Sequence, residues 1–219
     1  MLVAVLVYFA DAIIIDLTLN LAGLISGGIL GYLAVTRVQM SSRPEMVAIF
    51  NGLGGIASLL VGSAEFVRGS DYLFPIFLTV LIGGLTFTGS LVAYGKLSEI
   101  LGGRPTLYKG QQIVNSILLL LIAATGIEMI FLQQIFTASE TLLILCGLAM
   151  VLGILFVIPI GGADMPVVIA LLNSFSGLAA CAAGFVIENN VLIVAGALVG
   201  ASGLILTNVK CKAMNRYVA

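Results

Sequence analysis

Three polar side chains stand where an apolar sequence does not need them. Asp164 and Asn173 share the stretch "DMPVVIALLNSFSG" (164–177), and Asn51 lies in the similar stretch "RPEMVAIFNGLGG" (43–55). An amide buried in hydrocarbon without a partner costs roughly 2–7 kcal/mol. Each Asn must therefore face a neighbouring helix or water. Intramembrane polar groups mark ion and substrate paths, and an amide can hold water or orient a neighbour that titrates. It can equally act as glue between helices, worth about 1 kcal/mol, and spacing alone does not separate the two roles. Asp164 is the titratable member. "GGADMP" frees the backbone at Gly161 and Gly162 and restarts a helix at Pro166, where the missing N–H costs nothing. That places Asp164 just ahead of a helix N-terminus, where free N–H groups and the dipole favour a carboxylate. The competing reading is a helix cap, worth about 1 kcal/mol.

The elements that must position these groups are membrane helices. The chain has 219 residues, 61% hydrophobic and 9% charged, against roughly a quarter charged in a soluble domain. Apolar runs divided by polar breaks predict eight helices, at about 2–16, 17–35, 46–67, 72–97, 112–132, 141–160, 166–187 and 190–209. The opening "MLVAVLVYFADAIIID" lacks a basic start and a small-residue cleavage pattern, so it reads as a span and not as a signal peptide. With eight spans, Arg37, Arg43, Lys96, Arg104, Lys109, Lys210, Lys212 and Arg216 fall on one side, and only Arg68 on the other. That asymmetry places both termini in the cytoplasm. No basic patch suits a nucleic acid, and no strand, Gly-rich turn and helix follow one another as a nucleotide fold requires. The chain contains no His, which removes the commonest proton carrier and metal ligand. Cys146, Cys181 and Cys211 have unrelated spacings and suggest neither a disulfide framework nor a zinc site.

The two similar stretches share the pattern P-x6-N-x3-G-[IL]-A. Pro44 falls on Pro166, Asn51 on Asn173 and Gly55 on Gly177. Each copy precedes a span that contains "VLI" (80–82 and 191–193) and a later glycine, Gly89 or Gly200. Spans three and four therefore read as a parallel repeat of spans seven and eight, an arrangement with functional sites at the repeat interface in transporters. Chance similarity in an apolar alphabet is the alternative. Small residues line one face of each span: Asn51, Gly55, Ser58 and Gly62; Gly83, Thr86, Ser90 and Ala93; Asn173, Gly177, Ala180 and Gly184; Gly196, Gly200, Gly203 and Thr207. Such stripes let helix backbones approach closely, and packing is the plain reading of the glycines.

The stretches "GGADMPVVIALLNSFSG", "LTFTGSLVAYGKL", "RPEMVAIF", "VLIVAGALVGASG" and "CKAMNR" resemble the membrane part of the beta subunit of proton-translocating NAD(P) transhydrogenase. The resemblance covers about residues 22–216 and is most specific over 161–216. It implies an all-α polytopic membrane domain over 1–219 that carries the proton path while hydride passes from NADH to NADP⁺ elsewhere. The family's beta subunit usually has nine membrane helices, and the resemblance implies that this chain lacks the first. No catalytic, cofactor-binding or metal residue is expected here. The NADP(H)-binding domain, which follows "CKAMNR" in the family, is expected to be absent from this chain, and NAD(H) belongs to the alpha subunit. The implied partners are alpha-type membrane helices, the NAD- and NADP-binding domains and the lipid of a bacterial inner or equivalent energy-transducing membrane, in a dimer of the full complex. By position, Asn51, Ser90 and Asn173 would line the path, with Asp164 as the coupling acid at its cytoplasmic mouth. Gly55, Gly177, Gly196, Gly200 and Gly203 would serve close packing and coupling. One position departs, because many relatives have His where this chain has Asn51. A titratable residue from a partner subunit near Asn51 is therefore expected, the alternative being a path through water with Asp164 as its nearest acid. The rivals are a small secondary transporter and a passive scaffold subunit of a membrane complex.

Overall fold

A computed structural model describes residues 17–39, 42–107, 110–132 and 137–215. The expected span at 2–16 lies outside them. The described residues form helices α1 (Leu17–Arg37), α2 (Arg43–Val67), α3 (Leu73–Leu97), α4 (Gln111–Ile127), α5 (Ala138–Val157), α6 (Met165–Val186) and α7 (Asn190–Ala213). A π-helical turn, Glu128–Leu132, continues α4, and a 3-10 turn, Gly162–Asp164, precedes α6. Six helices, α2 to α7, are long and apolar enough to cross a membrane. Helix α1 belongs to a separate unit, 1–41, and the other six form the second unit, 42–219.

Local chemistry sets the helix ends. Pro44 and Pro166 sit in the first turns of α2 and α6, where a proline N–H would have no helical partner. Helix α5 begins at Ala138, ahead of the expected 141, because "TASE" forms a capping box. Thr137 N donates to Glu140 Oε2 at 2.9 Å, and Glu140 N donates to Thr137 Oγ1 at 3.4 Å. The same helix ends at Val157 and not at 160, because Pro159 has no N–H to continue the ladder; the carbonyls of Ile158 and Ile160 accept from the ammonium of Lys96. Asn189 caps α7 by accepting from Leu192 N at 3.0 Å.

In the six-helix unit α3 is the central element. It packs against α2, α5 and α6, while α4 packs on α5 and α7 on α6. One apolar cluster joins Leu59, Ile76, Val80, Ile122, Met129 and Leu145. A second lies towards the other end and joins Ala48, Val92, Val157, Met165, Ile169 and Leu172. Chain direction alternates along α2 to α7, so the N-terminus of α2, the loop after α3, the turn before α6 and the C-terminus of α7 share one end of the unit. Arg43, Lys96, Arg104, Lys210 and Lys212 belong to that end, and Arg68 to the opposite one.

The closest helix pairs are α2–α3 and α6–α7, and they meet in the same register. A methyl group on Gly55 would come within 2.8 Å of Phe87 N and 2.9 Å of Gly83 O. One on Gly177 would fall on the Gly200 amide nitrogen and come within 3.0 Å of Gly196 O. Further along, a methyl on Gly62 would lie 3.1 Å from Thr79 Cγ2 and 3.2 Å from Val80 Cγ2, and one on Gly184 would lie 2.7 Å from Ile193 N. The repeat is thus a repeat of backbone contacts. It also corrects the sequence alignment of the second helices. Gly83 corresponds to Gly196, Val80 to Ile193 and Phe87 to Gly200, whereas the "VLI" words had paired Val80 with Val191 and Gly89 with Gly200.

Candidate functional site

Asn51 joins three helices. Its position on α2 leaves it 8% exposed, in a stripe where Gly52 and Gly55 bring α3 close. A methyl on Gly52 would lie 3.2 Å from Ser90 Cβ. Across this seam Asn51 Nδ2 donates to Ser90 Oγ at 2.9 Å. From α6, Ser176 Oγ donates to Asn51 Oδ1 at 2.7 Å and lies 3.3 Å from the Asn51 carbonyl oxygen. Ser90 is fully buried, and Ser176 is half-buried. One turn before Ser90, the hydroxyl of Thr86 is buried and finds no hydrogen-bond partner among the described residues. A buried unsatisfied hydroxyl costs about 1–3 kcal/mol. The amide and hydroxyls do not titrate near neutral pH. What they can do is hold a directed hydrogen-bond chain, because each hydroxyl both donates and accepts and can reverse its sense.

The expected residues do not all meet. The structure brings Asn51 and Ser90 together but leaves Asn173 elsewhere. Asn173 is exposed on the α6–α7 side, in a groove of about 420 Å³ with Ser202, Gly203 and Leu206. Its buried neighbour Ser174 turns to α7 and donates to Gly200 O at 2.5 Å. The α6 residue that reaches Asn51 is Ser176, which the sequence reading passed over. The signal was present, since Ser176 follows Asn173 by one helical turn in "NSFS". Asn51 is paired within its own chain, whereas Asn173 is exposed.

Asp164 closes the 3-10 turn and holds the N-cap position of α6, half-buried, as the sequence indicates. Its side chain makes no capping hydrogen bond to α6. The turn is anchored from several directions. Gly162 N donates to Gly103 O at 2.8 Å, and Thr106 N to Ile158 O at 3.4 Å. Lys96 Nζ donates to Ile158 O and, at 2.6 Å, to Ile160 O. Lys210 Nζ donates to Pro166 O at 3.1 Å. Sequence reasoning counted Lys96 and Lys210 only as charges. Lys96 is 2% exposed, and its signal was position, since it ends the most buried helix.

At the opposite end, the loops of the two helix pairs touch. Tyr72 donates its phenol to Glu188 Oε1 at 2.6 Å, and that carboxylate raises the phenol pKa above its usual value of 10. Glu128, which the sequence placed simply near a helix end, is buried on the π turn and accepts from Thr141 Oγ1 at 2.9 Å. It lines a cavity of about 350 Å³ with Asp71, Ser70 and Met129. Among the described residues, no cluster of His, Cys, Asp and Glu could hold a metal ion.

Comparison with known proteins adds to this geometry. The sequence model of the family described as NAD(P) transhydrogenase beta subunit matches residues 1–219. The protein named NAD(P) transhydrogenase subunit beta from Rhodospirillum rubrum is 37% identical over 207 residues. The same figures hold for that subunit from a second R. rubrum source, strain ATCC 11170. The match covers 88% of this chain and 43% of the relative, so the chain spans less than half the length of the proteins it resembles.

Proposed function

Because the chain belongs to the NAD(P) transhydrogenase beta-subunit family, we propose that it is the membrane domain through which protons cross inward as hydride passes from NADH to NADP⁺. The nucleotides would be held by other domains, NADP(H) on one and NAD(H) on an alpha-type subunit. The observation that carries this reading is the buried Asn51–Ser90–Ser176 network. It links the two repeat units at their interface, where transporters built from repeats place their sites. A directed chain of one amide and two hydroxyls suits proton passage better than the binding of a larger solute.

Asn173 extends the reading to partners. An exposed amide at membrane depth needs a polar neighbour, and the groove it shares with Ser202 and Gly203 offers room for one. Alpha-type membrane helices would cover this face and supply the titratable residue that the Asn51 network lacks, within a dimeric complex in an energy-transducing membrane. The Lys/Arg-rich end would face the cytoplasm, placing Asp164 where nucleotide occupancy can act on it.

The test uses the complete enzyme in vesicles. Asn51→Leu removes both bonds to Ser90 and Ser176 at similar volume. Proton-coupled transhydrogenation should fall at least about tenfold, equivalent to a barrier higher by about 1.4 kcal/mol, with the subunit still assembled. Coupled turnover and vesicle acidification at the unaltered rate would refute the path.

A further inference from the structure

The ammonium of Lys96 is a charge buried for a purpose that the network alone does not explain. It lies in the last turn of α3, 2% exposed, and donates to two main-chain carbonyls, Ile158 O and Ile160 O. These carbonyls follow the last residue of α5, where helical acceptors lack partners and the helix dipole is negative. The site therefore suits a cation. Burial of an ammonium nevertheless costs several kcal/mol before it is compensated, and an apolar residue of the same length would avoid that cost. Stability alone is a poor reason for a lysine here.

What the lysine connects is more informative. The carbonyls it holds begin the segment that runs through Gly161 and Gly162 to Asp164. Ser90 stands on the same helix as Lys96, six residues earlier, about 9 Å along the axis at 1.5 Å per residue. Helix α3 runs unbroken from Leu73 to Leu97 and packs on α2, α5 and α6, so Lys96 and Ser90 belong to one continuous element. A shift of the Asp164 turn must either break the Lys96 bonds or carry the end of α3 with it, and with α3 the Ser90–Asn51 hydrogen bond.

We propose that Lys96 is a positioning residue that ties the Asp164 turn to the helix bearing Ser90, so that the two move together. This rests on the proposed role of the network and of Asp164 in proton coupling. Lys96 touches no reacting atom; it acts through the carbonyls it holds. The loop bonds Gly162 N to Gly103 O and Thr106 N to Ile158 O fix the same turn from the solvent side. Lys96 alone among these contacts comes from within the helix core.

The test compares Lys96→Met, Lys96→Gln and Lys96→Arg with Asp164→Asn in the complete enzyme in vesicles. Three quantities are read: proton-coupled transhydrogenation, hydride exchange that needs no proton movement, and amide hydrogen exchange over residues 158–164. Lys96→Met should lower the coupled rate about tenfold, leave the uncoupled exchange within about twofold, and speed amide exchange in the turn. Lys96→Arg, which keeps charge and donors, should restore most of the coupled rate. If Lys96→Met does not assemble, Lys96→Gln, with one donor group retained, takes its place with the same expectation. Normal coupling in Lys96→Met or its substitute while Asp164→Asn is uncoupled would overturn the inference and leave the path reading intact. Normal coupling in Asp164→Asn would instead remove Asp164 from the mechanism, and the inference with it. Failure of both Met and Gln variants to assemble would also overturn it, because the bonds would then be a requirement of folding.

Discussion

Replacing Gly177 by Ala tests whether α6 and α7 meet backbone to backbone. The added methyl would fall on Gly200 N and lie 2.9 Å from Val199 C and 3.0 Å from Gly196 O. All three are main-chain atoms, so no side-chain rotation relieves the overlap and the helices must separate. Overpacking of this kind costs about 1–3 kcal/mol. Gly54 is the control: it lies on the same helix as Gly55, and a methyl there meets nothing within 4 Å. Gly54→Ala should gain the helix-propensity difference of up to about 1 kcal/mol. Gly177→Ala carries the same gain, so the difference between the two variants isolates the packing loss. For a chain of this size 1 kcal/mol moves a melting midpoint by about 2–4 °C, which puts Gly177→Ala about 2–12 °C below Gly54→Ala. The assay is the midpoint of thermal unfolding of the purified subunit in one detergent at one protein concentration. Gly55→Ala, the equivalent position in the first pair, should fall with Gly177→Ala. If both melt with Gly54→Ala, the contact register is wrong and so is the repeat built on it.

Orientation gives a second expectation. In sealed vesicles of known sidedness, a cysteine at Asn189 should react with an impermeant thiol reagent from the outer face only, and one at Gly102 from the cytoplasmic face only; the reverse pattern would overturn the topology. The Tyr72–Glu188 bond gives a third. Its phenol has a folded pKa raised above the usual 10, so its contribution is fully present below that value and lost as pH rises through the higher folded value. The melting midpoint of the unaltered subunit should therefore fall more steeply above about pH 10 than that of Tyr72→Phe, which cannot titrate there; parallel pH profiles would show that the tie between the two loops contributes nothing.

Much of the fold is legible because lipid imposes one requirement on every span, a helix of sufficient apolar length. Helix positions follow from it. What composition does not reveal is direction around the helix axis. The stripes beginning at Asn51, at Gly83 and at Gly196 all proved buried, but the stripe beginning at Asn173 starts with an exposed residue. Helix α6 has neighbours on several sides, so no single stripe marks its inner face. The register of the second repeat helices was misread for a similar reason. Identical words such as "VLI" report lipid-compatible composition, whereas register is set by where a backbone must come within contact of another, at Gly83 and Gly196. Caps were readable and were underused, since "TASE" contains the capping box that starts α5 three residues ahead of 141. The π turn at Glu128 had no such signal.

The same backbone register with different side chains also explains why two similar asparagines differ. Where α2 and α3 meet, the first helix has Gly52 and the second has Ser90, with a methyl on Gly52 coming 3.2 Å from Ser90 Cβ. At the equivalent point of α6 and α7 the arrangement is exchanged. The first helix has Ser174 and the second has Gly203, whose methyl would come within 2.8 Å of Ser174 Cβ. The hydroxyl on α3 can therefore bond the amide of Asn51. The hydroxyl on α6 is bonded to the Gly200 carbonyl instead; at the position equivalent to Ser90, α7 has Gly203, and the hydroxyl of the neighbouring Ser202 donates to Val199 O. A single exchange of Ser and Gly across an otherwise repeated seam thus leaves one amide inside the chain and turns the other outward. In a symmetric repeat both amides would be bonded within the chain. The asymmetry supplies both an enclosed polar station, reached by Ser176, and an open one at Asn173, one turn apart on α6.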